Sequence, residues 1–158
     1  MTPGRLQPGI GLRPGEREHP AAATVPLLYA ALWESVAAHA RLRLNVVVDV
    51  GLYDIAIATA AAERLAGIPV LFVGVRCDLE TIMQRRRSAG SQRYVVAPEG
   101  EPVPEPVLRW QDEVHARWTY DLDVDTSAHT PEECAAEIRT RLGEKPPPGA
   151  FARIGTTG

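Results

Sequence analysis

The stretch LNVVVDVGLYD, Leu44 to Asp54, puts a carboxylate at the end of an apolar run. Val46–Val48 are consecutive β-branched residues, the composition of a strand buried on both faces. Asp49 follows directly, with Gly51 two positions on. Open α/β sheets bind ligands outside the carboxyl ends of their strands, and an acidic residue there helps nucleotide-using enzymes hold Mg²⁺. Asp49 is therefore a candidate metal-linked carboxylate. Asp54 is a weaker partner, because it stands where an N-cap would precede a helix starting at Ile55.

Such a carboxylate needs a phosphate-binding loop beside it. A phosphate-loop lysine follows a Gly-rich turn, as in G-x-x-x-x-G-K-[ST]. Lys+Arg total 17, yet Lys145 is the only lysine, and it sits in GEKPPPG. The motif is absent from these 158 residues. PGIG (Pro8–Gly11) and RPGE (Arg13–Glu16) contain glycine, but prolines interrupt them and no apolar run precedes them, so they read as exposed loop.

Other constellations are weaker. Asp121, Asp123 and Asp125 alternate along YDLDVDTS and would share one strand face, which suits a charged edge better than a metal site. His19, His39, His115 and His129 share no spacing, and no Ser-His-Asp arrangement can be built from them. Cys77 and Cys134 match no metal-ligand spacing. Trp33, Trp110 and Trp118 fall on or beside helical segments and suit core or groove lining.

Three strands and five helices must position these groups. Helices are predicted over 25–42, with Leu28, Leu32, Val36 and Ala40 on one apolar face, over 55–67 ending at Gly67, over 78–90 with Asp78 as N-cap, and over 106–118. A fifth opens with Thr130 as N-cap, Pro131 at the first helical position and Glu133 completing a capping box. Strands are predicted near 44–50, 69–76 and 120–125. Strands separated by helices imply parallel pairing in a layered α/β fold. Residues 1–23 read as a partly disordered loop, 24–144 as one α/β domain and 145–158 as a disordered tail.

With 45% hydrophobic and 23% charged residues the chain has an ordinary globular composition. A formal net charge of −3 argues against electrostatic nucleic-acid binding by the whole molecule. No apolar run reaches membrane-span length, and the first residues hold no apolar signal core. A cytoplasmic protein with reduced thiols and no membrane partner is expected; oligomeric state is not legible.

VLFVGVRCDLETIMQRRRSAG, a strand followed by GVRCD and an Arg-bearing helix, resembles the chloramphenicol phosphotransferase-like family of small P-loop kinases. YDLDVDTSAHTPEECAAEI is similar to that family's last strand and helix, and NVVVDV to the strand that ends in an acidic residue. The resemblance runs from about Gly9 to Gly143. It implies an ATP- and Mg²⁺-dependent phosphotransferase acting on a hydroxylated small molecule. It also implies a three-layer P-loop kinase-like fold that is incomplete here, a mostly parallel sheet without its first two strands. Those strands carry the phosphate loop and the aspartate taken as catalytic base. Two readings follow: these residues belong to a longer protein, or they are a shortened relative that binds or supports without catalysing.

The resemblance also assigns residues. Asp49 becomes the catalytic and Mg²⁺-linked carboxylate. Arg85 becomes a catalytic arginine on a lid that stabilises charge on the transferring phosphoryl group, with Arg86, Arg87 and Arg93 nearby. Arg93, Thr126 and Ser127 become cofactor-binding positions, the last two in the loop that passes under the adenine. SAGSQ stands where the family pattern has a further arginine before Arg93.

Overall fold

A computed structural model describes residues 23–89, 97–144 and 149–155. Its elements, in chain order, are α1 (Val25–Arg41), α2 (Ile55–Arg64), β1 (Val73–Arg76), α3 (Leu79–Ser88), α4 (Glu105–His115), β2 (Leu122–Asp125), α5 (Pro131–Gly143) and α6 (Ala150–Ile154). The class is mixed α/β. β1 and β2 form a parallel two-stranded sheet, in register from Val73 opposite Leu122 to Arg76 opposite Asp125. Parallel pairing requires a crossover, which the intervening α3 and α4 supply.

The local signals for helix ends hold. The Asp54 side chain accepts from Ala56 N and Ile57 N, capping α2. Asp78 accepts from Thr81 N at 2.8 Å and caps α3. At α5 the capping box is complete, with Thr130 and Glu133 bonding each other's backbone N–H. Gly67 has φ +77°, the left-handed conformation that turns the chain after α2.

Among the described residues two compact units are present, one within Cys77–Arg117 and one within Pro26–Arg76 with Trp118–Gly158. In the first, α3 and α4 close on Met83, Ala97 and Val107, with Leu79, Ile82 and Val103 packed against them. Gln111 Nε2 on α4 donates to Cys77 O at 2.8 Å, fixing α4 to the residue that opens this unit. In the second, Tyr29, Trp33 and Ala37 of α1, Ala58, Ala61 and Ala62 of α2, Val124 of β2, Cys134 of α5 and Phe151 of α6 are buried.

Three expectations are corrected. Residues 44–50 form no strand. Val47 is 97% exposed, and the flanks are held instead by Tyr29 Oη donating to Gly51 O at 3.0 Å and Trp118 Nε1 donating to Leu52 O at 2.5 Å. A β-branched run favours extended backbone, but a strand exists only when a neighbour completes its hydrogen-bond ladder. No described residue does so for 44–50.

The buried face of α1 is also rotated from the predicted one. Tyr29, Trp33 and Ala37 face inward, while Leu28 and Leu32 are 45% and 37% exposed. The two rings bury more area than the leucines would, and α1 turns accordingly.

Finally, the segment expected to be disordered from 145 contains α6, whose Ala150 and Phe151 are buried. The glycine and prolines before it concealed an aromatic anchor.

Candidate functional site

The carboxyl ends of β1 and β2 bring together Arg76, Asp123, Asp125, Thr126 and Ser127. Arg76 Nε lies 2.6 Å from Asp123 Oδ1, and the Arg76 guanidinium stands 5.6 Å from the Tyr120 ring centroid. Thr126 closes the strand end on its neighbour: its N and Oγ1 donate to Arg76 O at 2.8 and 3.1 Å. Ser127 N donates to Asp125 Oδ1 at 2.8 Å, and its hydroxyl bonds the same oxygen. Burial pushes the Tyr120 hydroxyl up to about 12, with Arg76 lowering it and Asp123 raising it. Tyr120 is therefore a neutral phenol at ordinary pH.

This cluster is tied to itself. Arg76 is committed to Asp123, and Thr126 and Ser127 tie down the turn after β2. The hydroxyls expected near an adenine thus also carry turn-forming bonds, by the usual short-range competition of Ser and Thr side chains for backbone groups.

Asp49 lies in the 44–50 segment, which has no regular secondary structure, and is exposed. Mg²⁺ is commonly held by one or two carboxylates together with substrate phosphates and water. A single exposed carboxylate fits that mode, and fits no preformed cage. Among the described residues no group of three or more His, Cys, Asp or Glu side chains is placed to hold a metal ion. The residues present do not make an ATP cradle, because the phosphate-loop lysine and glycine turn are absent from the sequence.

Arg85 belongs to the other unit. It is exposed in the last turn of α3 with Arg86 and Arg87, where the negative end of the helix dipole favours cations. Its Nη1 lies 3.5 Å from Cys77 Sγ. Arg93 lies outside the described residues.

Sequence reasoning undervalued Asp121. One oxygen of its carboxylate accepts from Gly149 N at 2.8 Å and Ala150 N at 2.9 Å, and the other from Phe72 N at 3.0 Å. Burial acts to raise its pKa, but these three N–H bonds and the Arg141 charge outweigh burial and hold it below the usual carboxylate range. No motif announces such a contact, because Asp121 and Gly149 are 28 positions apart.

The family profile described as chloramphenicol phosphotransferase-like protein matches residues 1–143. The chain belongs to that family. No curated protein and no solved structure matches it. The kinase-like phosphotransferase family resembled by GVRCD and DVDTS is thus the one the profile identifies, and both segments lie in the matched region. α6 lies beyond it. Among the described residues no helix is long and apolar enough to cross a membrane.

Proposed function

We propose that this chain carries the lid and substrate-side part of an ATP-dependent phosphotransferase acting on a hydroxyl of a small molecule. The match to the family over residues 1–143 carries the reading. The parallel β1–β2 pair with its α3–α4 crossover supports it, as does a basic α3 terminus.

In this reading Asp49 is the Mg²⁺-linked carboxylate and Arg85 the arginine that stabilises the transferring phosphoryl group. Arg93, Thr126 and Ser127 serve the nucleotide. Mg·ATP, when bound, supplies the phosphoryl group and neutralises its charge. The 158 residues alone do not turn it over, since backbone N–H groups of a glycine loop and a lysine provide most phosphate binding in such enzymes. A strand–loop–helix segment joined ahead of Met1 would complete the site and give the 44–50 segment a ladder partner.

A second reading, a non-catalytic binding or structural remnant, is favoured by one observation: the segment bearing Asp49 has no strand partner among the described residues. The test is ADP release across a panel of hydroxylated antibiotics and metabolites, for the 158-residue chain and for the chain extended by a G-x-x-x-x-G-K-[ST] segment. Turnover by the extended protein alone supports the first reading. A folded extended protein inert toward every substrate supports the second.

A further inference from the structure

Residues 44–50 leave α1 by a defined turn and are fastened again just beyond. Arg43 N donates to Ala40 O at 2.9 Å and Leu44 N to His39 O at 3.2 Å, the paired bonds of a Schellman cap. Arg43 takes the left-handed position of that cap, with φ +64°. On the far side Tyr29 Oη holds Gly51 O and Trp118 Nε1 holds Leu52 O. Between these fastenings residues 45–50 make no backbone–backbone hydrogen bond among the described residues.

Exposure alternates along the run. Val46 is 40% exposed and Val47 97%; Val48 and Val50 are half-buried, and Asp49 between them is exposed. A period of two is the strand period. Leu44, Val46, Val48 and Val50 thus form one side, and Asn45, Val47 and Asp49 the other. An apolar run with unpaired N–H and C=O groups is a template for another strand. NVVVDV is rich in β-branched residues, carries one charge and contains neither proline nor glycine, the composition of segments that pair with their own kind.

Self-pairing has a register that satisfies both sides. When two copies run antiparallel with Val47 opposite Val47, Asn45 of each faces Asp49 of the other, and its amide N–H groups can donate to the carboxylate. On the other side Leu44 meets Val50 and Val46 meets Val48. A parallel in-register pair instead sets Asp49 against Asp49, like charges directly opposite. An antiparallel slip of two residues either way sets a polar side chain against Val47 and gives up the Asn45–Asp49 bond.

We propose that residues 44–50 are a self-pairing edge through which two copies of this chain form a twofold dimer. The fastened ends lower the ordering cost of adding a strand. The twofold at Val47 makes the interface isologous, so assembly stops at two. A strand joined ahead of Met1 would fill the same edge. The dimer is therefore a property of the 158-residue chain and does not rest on the phosphotransferase reading.

Sedimentation equilibrium of that chain over a concentration series tests it, and a reversible monomer–dimer equilibrium is expected. Asn45→Lys puts an ammonium opposite Asp49 and should tighten the dimer about 2- to 10-fold; Asn45→Asp puts a carboxylate there and should weaken it by a similar factor. Val47→Lys sets like charges together on the twofold and should weaken it about tenfold or more. Positions 45 and 47 are exposed, so these substitutions spare the fold, which circular dichroism checks. A chain that stays monomeric to about 1 mM overturns the proposal and leaves the edge to some other strand. Open-ended assembly also overturns it, as do Asn45 variants that both shift the equilibrium in the same direction.

Discussion

Gly74 stands opposite Asp123 in the parallel pair, and a β-carbon at Gly74 would run into Oδ1 of Asp123 and fall 2.6 Å from Cδ2 of Tyr120. The same ring packs on Phe72, with centroids 4.6 Å apart, and lies beside the Arg76 guanidinium. The absence of a side chain at position 74 is what lets Tyr120 lie across the sheet. Gly74→Ala should therefore cost about 1–3 kcal/mol, the usual range for overpacking. Urea unfolding reads this as a lower midpoint at unchanged slope. An unchanged midpoint would mean that neither the Asp123 carboxylate nor the Tyr120 ring lies over Gly74.

Acid should loosen α6. The folded pKa of Asp121 is depressed, so its contribution to stability is fully present above the unfolded value, about 3.9, and is lost as pH falls through the lower folded value. The stability difference between the native chain and Asp121→Asn should be constant at neutral pH and shrink below about pH 4. Paired denaturant titrations at stepped pH measure it. A difference that grows toward acid would contradict the sign.

Thr130→Ala removes the α5 N-cap and should cost about 1 kcal/mol. Thr130→Asp, which keeps an acceptor at the cap, should recover most of it. Equal loss in both variants would mean that the cap hydroxyl acts through something other than Glu133 N.

Much of the fold was legible because its signals are local. Asp54, Asp78 and Thr130 cap helices in the places their types and spacing require. The strand around Val75 was found from an apolar run and the one around Val124 from the alternation of apolar residues with aspartates. Long-range contacts were not legible. Val46–Val48 have strand composition, yet pairing depends on a neighbour that no property of those three residues reveals. The rotation of α1 follows from where Tyr29 and Trp33 find cover, and the order at 150–154 from Asp121 and Phe72 far earlier in the chain. At the site, Thr126 and Ser127 were placed correctly after the last strand, but their backbone and carboxylate bonds appear only once β1 lies beside β2.

In a protein extended ahead of Met1 by a phosphate-loop segment, Asp49→Asn should lower kcat with little change in unfolding midpoint, because Asp49 is exposed and the change keeps its shape. Arg85→Ala should lower kcat on the order of 10³-fold, as loss of a phosphoryl-stabilising arginine does. Steady-state kinetics with ADP detection, alongside thermal unfolding, separate the two effects. If the extended protein binds ATP and turns over at an unchanged rate with both substitutions, these residues have other roles.

Calorimetric titration with Mg·ATP, on the 158-residue chain and on the chain bearing a G-x-x-x-x-G-K-[ST] segment, tests the central claim most directly. The account predicts no heat above dilution for the first and saturable binding for the second. Binding by the 158 residues alone with a Kd tighter than about 100 µM, roughly −5.5 kcal/mol, would contradict it. So would an extended protein that folds and shows no binding.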